Sequence, residues 1–105
     1  MLLKKMRAAI TPRSWVLESK LSNGAIVVGQ NRPGYGGRGI YLYRDAIEPE
    51  LEHLDRLLPA EGVFIDIGAN TGIYTMKAAK HFNNRGLVIA VGPSCMRRGW
   101  TSSRG

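Results

Sequence analysis

Residues 63–91 constrain the fold more than any other part of the chain. Val63-Phe64-Ile65-Asp66-Ile67 is a short, mostly apolar run of strand length, and Leu87-Val88-Ile89-Ala90-Val91 is a second. Between them lie a glycine-bounded turn, Gly68-Ala69-Asn70-Thr71-Gly72, and a stretch with Ile73, Met76, Ala79 and Phe82 at helical spacing. Asn83-Asn84-Arg85-Gly86 stops that helix, with Gly86 suited to the left-handed conformation. Strand, turn, helix and strand in about thirty residues make a βαβ unit, with its two strands parallel and adjacent. The strands are apolar throughout, which predicts a sheet covered on both faces. The fold class is therefore α/β.

The preceding residues supply smaller elements. Pro49 and the acids Glu48, Glu50 and Glu52 suit the first turn of a helix over 48–58. Leu51, Leu54, Leu57 and Leu58 share one face of it, Pro59 ends it, and His53 lies off the stripe, at the surface. Residues 14–29 read as extended, with turn chemistry at Leu21-Ser22-Asn23-Gly24 and a β-branched run at Ala25-Ile26-Val27-Val28. Ile40-Tyr41-Leu42-Tyr43 predicts a further short strand. The glycine- and arginine-rich segment 31–39 suits either a phosphate- or RNA-contacting loop or a flexible connection between strands; a single unrepeated copy favours the connection. The opening residues, Met1-Leu2-Leu3-Lys4-Lys5-Met6-Arg7 and on to Ile10, suit a short basic amphipathic helix, closed by Thr11-Pro12. The chain thus divides into a basic segment 1–20, short strands and a glycine-rich loop over 21–47, a helix and βαβ unit over 48–94, and a basic tail 95–105 without apolar periodicity.

Charge narrows the class of partner. The net charge of +7 divides into +4 over residues 1–20 and +3 over 93–105, while 21–92 balances seven basic against seven acidic residues. A nucleic-acid groove needs its cations on a folded face, so nucleic acid is not the expected partner. The longest apolar runs fall far short of a membrane span, so no membrane partner is expected. A single cysteine, Cys95, excludes an internal disulfide and fits a cytoplasmic setting, and His53 and His81 do not make a metal cluster.

The turn after the first parallel strand is where open α/β sheets bind ligands. A phosphate-binding loop of the Gly-x-x-x-x-Gly-Lys type is excluded, because Ile73 follows Gly72. Only two glycines match a dinucleotide fingerprint. What stands there is Asp66-x-Gly68-x-x-x-Gly72. Gly68 suits close approach of backbone to a ligand, Gly72 a helix starting close to the strand, and Asp66 a carboxylate accepting from a cationic amine. The same residues suit simpler roles: Asp66 and Asn70 as helix caps, Gly68 and Gly72 as packing glycines. Tyr74 and Thr75 suit either a ligand site or the helix core.

Residues 63–75, Val-Phe-Ile-Asp-Ile-Gly-Ala-Asn-Thr-Gly-Ile-Tyr-Thr, closely resemble the first motif of the FkbM-type S-adenosylmethionine-dependent methyltransferases. The preceding helix and the 88–91 strand are in the family's order, so the resemblance is good over 48–94 and weaker over 21–47. It implies a Rossmann-like methyltransferase fold, incomplete here, with only the N-terminal strands and the first βαβ unit. It implies S-adenosylmethionine as cofactor, held at its methionine end by Asp66, Gly68, Ala69, Asn70 and Gly72. The implied reaction is methyl transfer to a hydroxyl of a small molecule or glycan. The family places Glu-Pro at the end of the second strand to hold the ribose; this chain has Gly92-Pro93. Losing such a charge-assisted bond costs about 1.5–3 kcal/mol. The resemblance stops after Pro93, so the expectation is a truncated, impaired fragment of marginal stability, with 95–105 arising from a shifted frame, an early stop or a junction. No catalytic base can be named, and Cys95 is not expected to be one. The rival reading is a non-catalytic small α/β interaction module whose exposed sheet edge binds a protein partner or a second copy, since a half-sheet has unpaired edges and an uncovered apolar face.

Overall fold

The computed structural model describes residues 1–34 and 36–92 and the backbone of 102–103. Its elements are α1 (Leu2–Ile10), β1 (Val16–Lys20), β2 (Ile26–Gln30), α2 (Arg38–Tyr43), a 3₁₀ turn (Arg44–Ile47), α3 (Pro49–Leu57), β3 (Gly62–Ile67), α4 (Ile73–Phe82), β4 (Gly86–Val91) and β5 (Ser102–Ser103). This is an α/β arrangement with two small sheets.

β3 and β4 pair in parallel and in register, from Gly62 opposite Gly86 to Ile67 opposite Val91, as the two apolar runs predict. α4 packs on both strands and α3 packs on α4. Leu51, Leu54, Ala78, Ala79, Phe82 and Val88 form the main core. α3 follows its sequence signals: Pro49 opens it, Leu51 and Leu54 are buried, and Leu58 turns extended ahead of Pro59. Leu57 departs from the expected stripe and is 71% exposed. His53 is at the surface.

The first sheet is a hairpin. β1 and β2 pair antiparallel from Val16–Gln30 to Lys20–Ile26. The turn closes through Leu21 N–H to Ala25 O (2.8 Å) and Gly24 N–H to Leu21 O (3.0 Å). Leu21, Ala25 and Val27 form a second core with Ile40 of α2.

Five further expectations are corrected. Ile40–Tyr43 is helical rather than a strand. Its β-branched and aromatic composition suits a strand, but only Ile40 is fully buried, and the helical turn seats it on the hairpin core. Tertiary burial outweighs the weak local preference. The 31–39 segment is a folded corner, not a flexible connection. Gly37 N–H donates to Gln30 O (2.6 Å) and Arg38 Nε to Asn31 Oδ1 (2.9 Å). At the end of α4 the left-handed residues are Asn83 and Asn84 (φ 47° and 72°), while Gly86 is the first residue of β4. Asparagine tolerates this conformation through local hydrogen bonding of its side chain.

The fourth correction concerns the β3–β4 sheet, one face of which the described residues leave largely exposed. Val63, Ile65 and Ile67 are 64%, 58% and 82% exposed and Val91 is 42% exposed. A continuous apolar run records that both faces suit burial; α3 and α4 both lie on the same side. Of the 95–105 segment, only Ser102–Ser103 is described. These residues form β5, antiparallel to β4, where an unstructured tail is expected. The rest of that segment, with Cys95, lies outside the described residues.

A polar network joins the hairpin turn to α3 and α4. Lys77 is fully buried, and its Nζ donates to Asp45 Oδ2 and to Leu51 O, each at 2.5 Å. Asp45 also accepts from Ser22 N–H (2.7 Å) and Ser22 Oγ (2.9 Å). Asn23 Nδ2 donates to Asp55 Oδ1 and Lys77 O, both at 3.0 Å.

Candidate functional site

The Asp66–Gly72 turn lies at the carboxyl end of β3, where the sheet order predicts a ligand site. Gly68 (φ 76°) and Gly72 (φ 84°) take left-handed conformations that side chains rarely adopt, so the turn requires glycine at both. Asn70 (φ 50°) takes the same region between them. Gly68 and Ala69 N–H both donate to Val91 O, at 2.6 and 3.2 Å. These bonds tie the turn to the end of β4 and consume two of its amides.

Neither Asp66 nor Asn70 caps α4. The N-cap is Gly72, without a side-chain cap bond. Asp66 Oδ2 instead accepts from Thr75 Oγ1 at 2.6 Å, and Oδ1 has no partner among the described residues. Thr75 is buried and holds Asp66 by this bond, while Tyr74 lines the cleft beside the turn.

A cleft of about 730 Å³ opens over the turn, within the usual range for small-molecule sites. It is bounded by Asp66–Thr71, by Gly34 and Gly36 of the corner, and by Ile47 and Glu48 ahead of α3. Tyr74 Oη donates to Glu48 Oε2 across the cleft. Burial, then this hydrogen bond and the negative charges of Glu48, Glu50 and Asp66, push the Tyr74 phenol well above its usual range. Tyr74 is therefore a neutral donor at physiological pH. Two carboxylates and no cationic side chain line the cleft among the described residues. This charge favours a ligand with a cationic end and disfavours phosphate.

Gly92 is buried beside the turn. A Cβ there would meet Ala69 N at 3.4 Å and Asn70 N at 3.9 Å, ordinary contacts. The structure thus brings together Asp66, Gly68, Ala69, Asn70, Gly72 and position 92. Sequence reading places Glu48 only as a helix-dipole partner. Its role in the cleft rests on a contact with Tyr74 across 26 residues, for which no local pattern exists. Comparison of the chain with protein-family models, with curated proteins and with solved structures finds no match.

Proposed function

We propose that this cleft binds the methionine end of S-adenosylmethionine, on a Rossmann-like methyltransferase scaffold. The observation that carries the reading is an acidic cleft over a glycine-bounded turn at the carboxyl end of a parallel strand. When bound, the cofactor would supply a sulfonium methyl group to an acceptor hydroxyl of a small molecule or glycan, the oxygen–carbon bond forming as the carbon–sulfur bond breaks, with the thioether leaving and the hydroxyl proton released. Asp66 Oδ1 accepts from the ammonium group, and Asn70 and Thr71 line the carboxylate end. Glu48 and the neutral Tyr74 form the opposite wall. Position 92 does not fit the ribose, because Gly92 has no acceptor. The cofactor is therefore held at one end.

Binding by this chain is accordingly weak, with a dissociation constant on the order of millimolar. Titration with S-adenosylmethionine, followed by amide resonances, is expected to move Gly68 to Gly72. A Cβ at position 92 meets only ordinary contacts, and Gly92→Glu is expected to strengthen binding by less than the roughly 10- to 150-fold that one such bond is worth, because the cofactor is otherwise held at one end only. Unmoved turn amides at millimolar cofactor overturn the reading. Micromolar binding by the unmodified chain shows that the ribose carboxylate is not needed.

A second reading is favoured by the bare β3–β4 face. Val63, Ile65 and Ile67 alternate outward from β3, and Val91 joins them from β4. Contiguous apolar surface of this kind suits a non-catalytic module that pairs with a second copy of itself. Sedimentation at increasing concentration tests it. A dimer dissociated by Ile67→Lys, with the turn amides unmoved by cofactor, supports this reading over the first.

A further inference from the structure

α1 turns its apolar stripe away from the protein. Lys4 and Ala8, one helical turn apart, face the body. Ala8 is 2% exposed, and Asn31 Nδ2 donates to its carbonyl at 2.7 Å. Lys4 Nζ donates to Tyr41 O at 3.2 Å and stands 5.3 Å from the Tyr41 ring centre. Leu2, Leu3, Met6 and Ile10 fall in an arc of about 100° on the opposite side. They are 74%, 62%, 55% and 82% exposed. By the same helical geometry Lys5 and Arg7 flank this arc, one on each border. A helix of a domain ordinarily turns such a stripe to the core. Here the core is reached through a lysine stem and an alanine.

The surrounding charge indicates what covers the stripe. Lys4, Lys5, Arg7 and Arg13 stand in the first segment, and no acid precedes Glu18. Just beyond α1, Trp15 is 63% and Val16 56% exposed. An aliphatic stripe bordered by cations, with an exposed indole five residues further along the chain, is the arrangement of a helix lying in a lipid interface. The cations reach anionic headgroups while their stems lie along the apolar boundary. The competing occupant is the bare sheet face of a second copy. Its side chains, Val63, Ile65, Ile67, Leu87, Ile89 and Val91, include no carboxylate to meet these cations. No helix among the described residues is long and apolar enough to cross a membrane, and surface docking needs none.

We propose that α1 docks the protein on an anionic phospholipid bilayer. Leu2, Leu3, Met6 and Ile10 enter the headgroup boundary, and Lys5 and Arg7 pair with lipid phosphates. The test uses the whole chain with Trp100→Phe, so that Trp15 is the only indole. Vesicles of phosphatidylglycerol with phosphatidylcholine are compared with phosphatidylcholine alone. Co-sedimentation and a blue shift of Trp15 emission are expected with the anionic vesicles only, and are weakened by salt. Leu3→Glu with Met6→Glu lowers partitioning by about tenfold or more, through lost apolar burial. Lys5→Glu with Arg7→Glu lowers it as well. Circular dichroism stays unchanged, because all four side chains are exposed. Equal binding to both vesicle types overturns the proposal. So does binding that survives Leu3→Glu with Met6→Glu, or a dimer lost on those substitutions without any vesicle binding.

Discussion

Lys77→Met is expected to destabilise the protein by about 3–5 kcal/mol, measured by urea unfolding with an unchanged denaturant slope. Lys77 is fully buried, at 2.5 Å from Asp45 Oδ2 and 3.6 Å from Asp55 Oδ2. Removing the ammonium leaves the Asp45 carboxylate buried without a cation and the Leu51 carbonyl without its donor. Methionine keeps the volume of the stem, so the loss reads the charge and not a cavity. Adding Asp45→Asn to Lys77→Met is expected to recover part of the loss, since no unpaired charge then remains. Burial by itself would raise the Asp45 carboxyl, but the hydrogen bonds from Lys77 and Ser22 and the Lys77 charge outweigh it. The carboxyl is therefore held below its ordinary 3.8. A lowered folded value stabilises above the unfolded value and is lost as pH falls through the folded one. The unmodified chain should lose stability below about pH 3.8 on this account. Lys77→Met should lose less there, because its Asp45 gains from protonation. A cost under about 1 kcal/mol would place Lys77 at the surface.

Phe82→Ala is expected to cost about 3–5 kcal/mol, because the ring is fully buried at the centre of the α3–α4–β4 core. Gly86→Ala is expected to cost about 1–3 kcal/mol by overpacking. A Cβ at position 86 would lie 2.6 Å from Phe82 Cγ and 2.7 Å from the carbonyl oxygen of Gly62 on the neighbouring strand. The two changes share one space, so their costs should not add. With the ring removed, the new methyl meets only the Gly62 carbonyl, and Gly86→Ala costs less. Thermal unfolding of the two single variants and the double variant checks this. Simple additivity would show that the ring does not lie against the start of β4.

The glycine at position 86 also shows where sequence reading stops short. The sequence Asn83-Asn84-Arg85-Gly86 announces the end of α4 correctly, but glycine is needed there for contact. Asn83 and Asn84 carry the positive φ angles. A turn pattern reports that the chain reverses, and it does not report which residue is crowded by a strand brought close from elsewhere. Ile40–Tyr43 fails for a related reason. Its local preference is set by side-chain shape, while its conformation is set by how Ile40 reaches Leu21, Ala25 and Val27. The candidate turn was legible because Asp66, Gly68, Asn70 and Gly72 are neighbours in the chain. Of its opposite wall, the sequence offers Tyr74 as one of two alternatives, and does not offer Glu48 at all.

Residues 49–91 determine their own helices and strands. The leucine spacing and Pro49 define α3, and two aliphatic runs joined by a helix of crossover length define the parallel pair β3–β4. These signals are local: period, cap and turn residues act within a few positions, and the handedness of the chain limits how such strands connect. Only the tertiary structure decided which faces those elements bury. The apolar runs of β3 and β4 look alike on both sides, yet α3 and α4 cover one side and leave Val63, Ile65 and Ile67 in solvent. α1 is amphipathic in sequence, yet its stripe points outward because Ala8 and Lys4 are tied to Asn31 and Tyr41. No local pattern marks Lys77 for burial, and it is buried where Asp45, from far earlier in the chain, pairs with it. Burial depends on the sum of contacts made by distant segments, and that sum exists only once the chain has closed on itself.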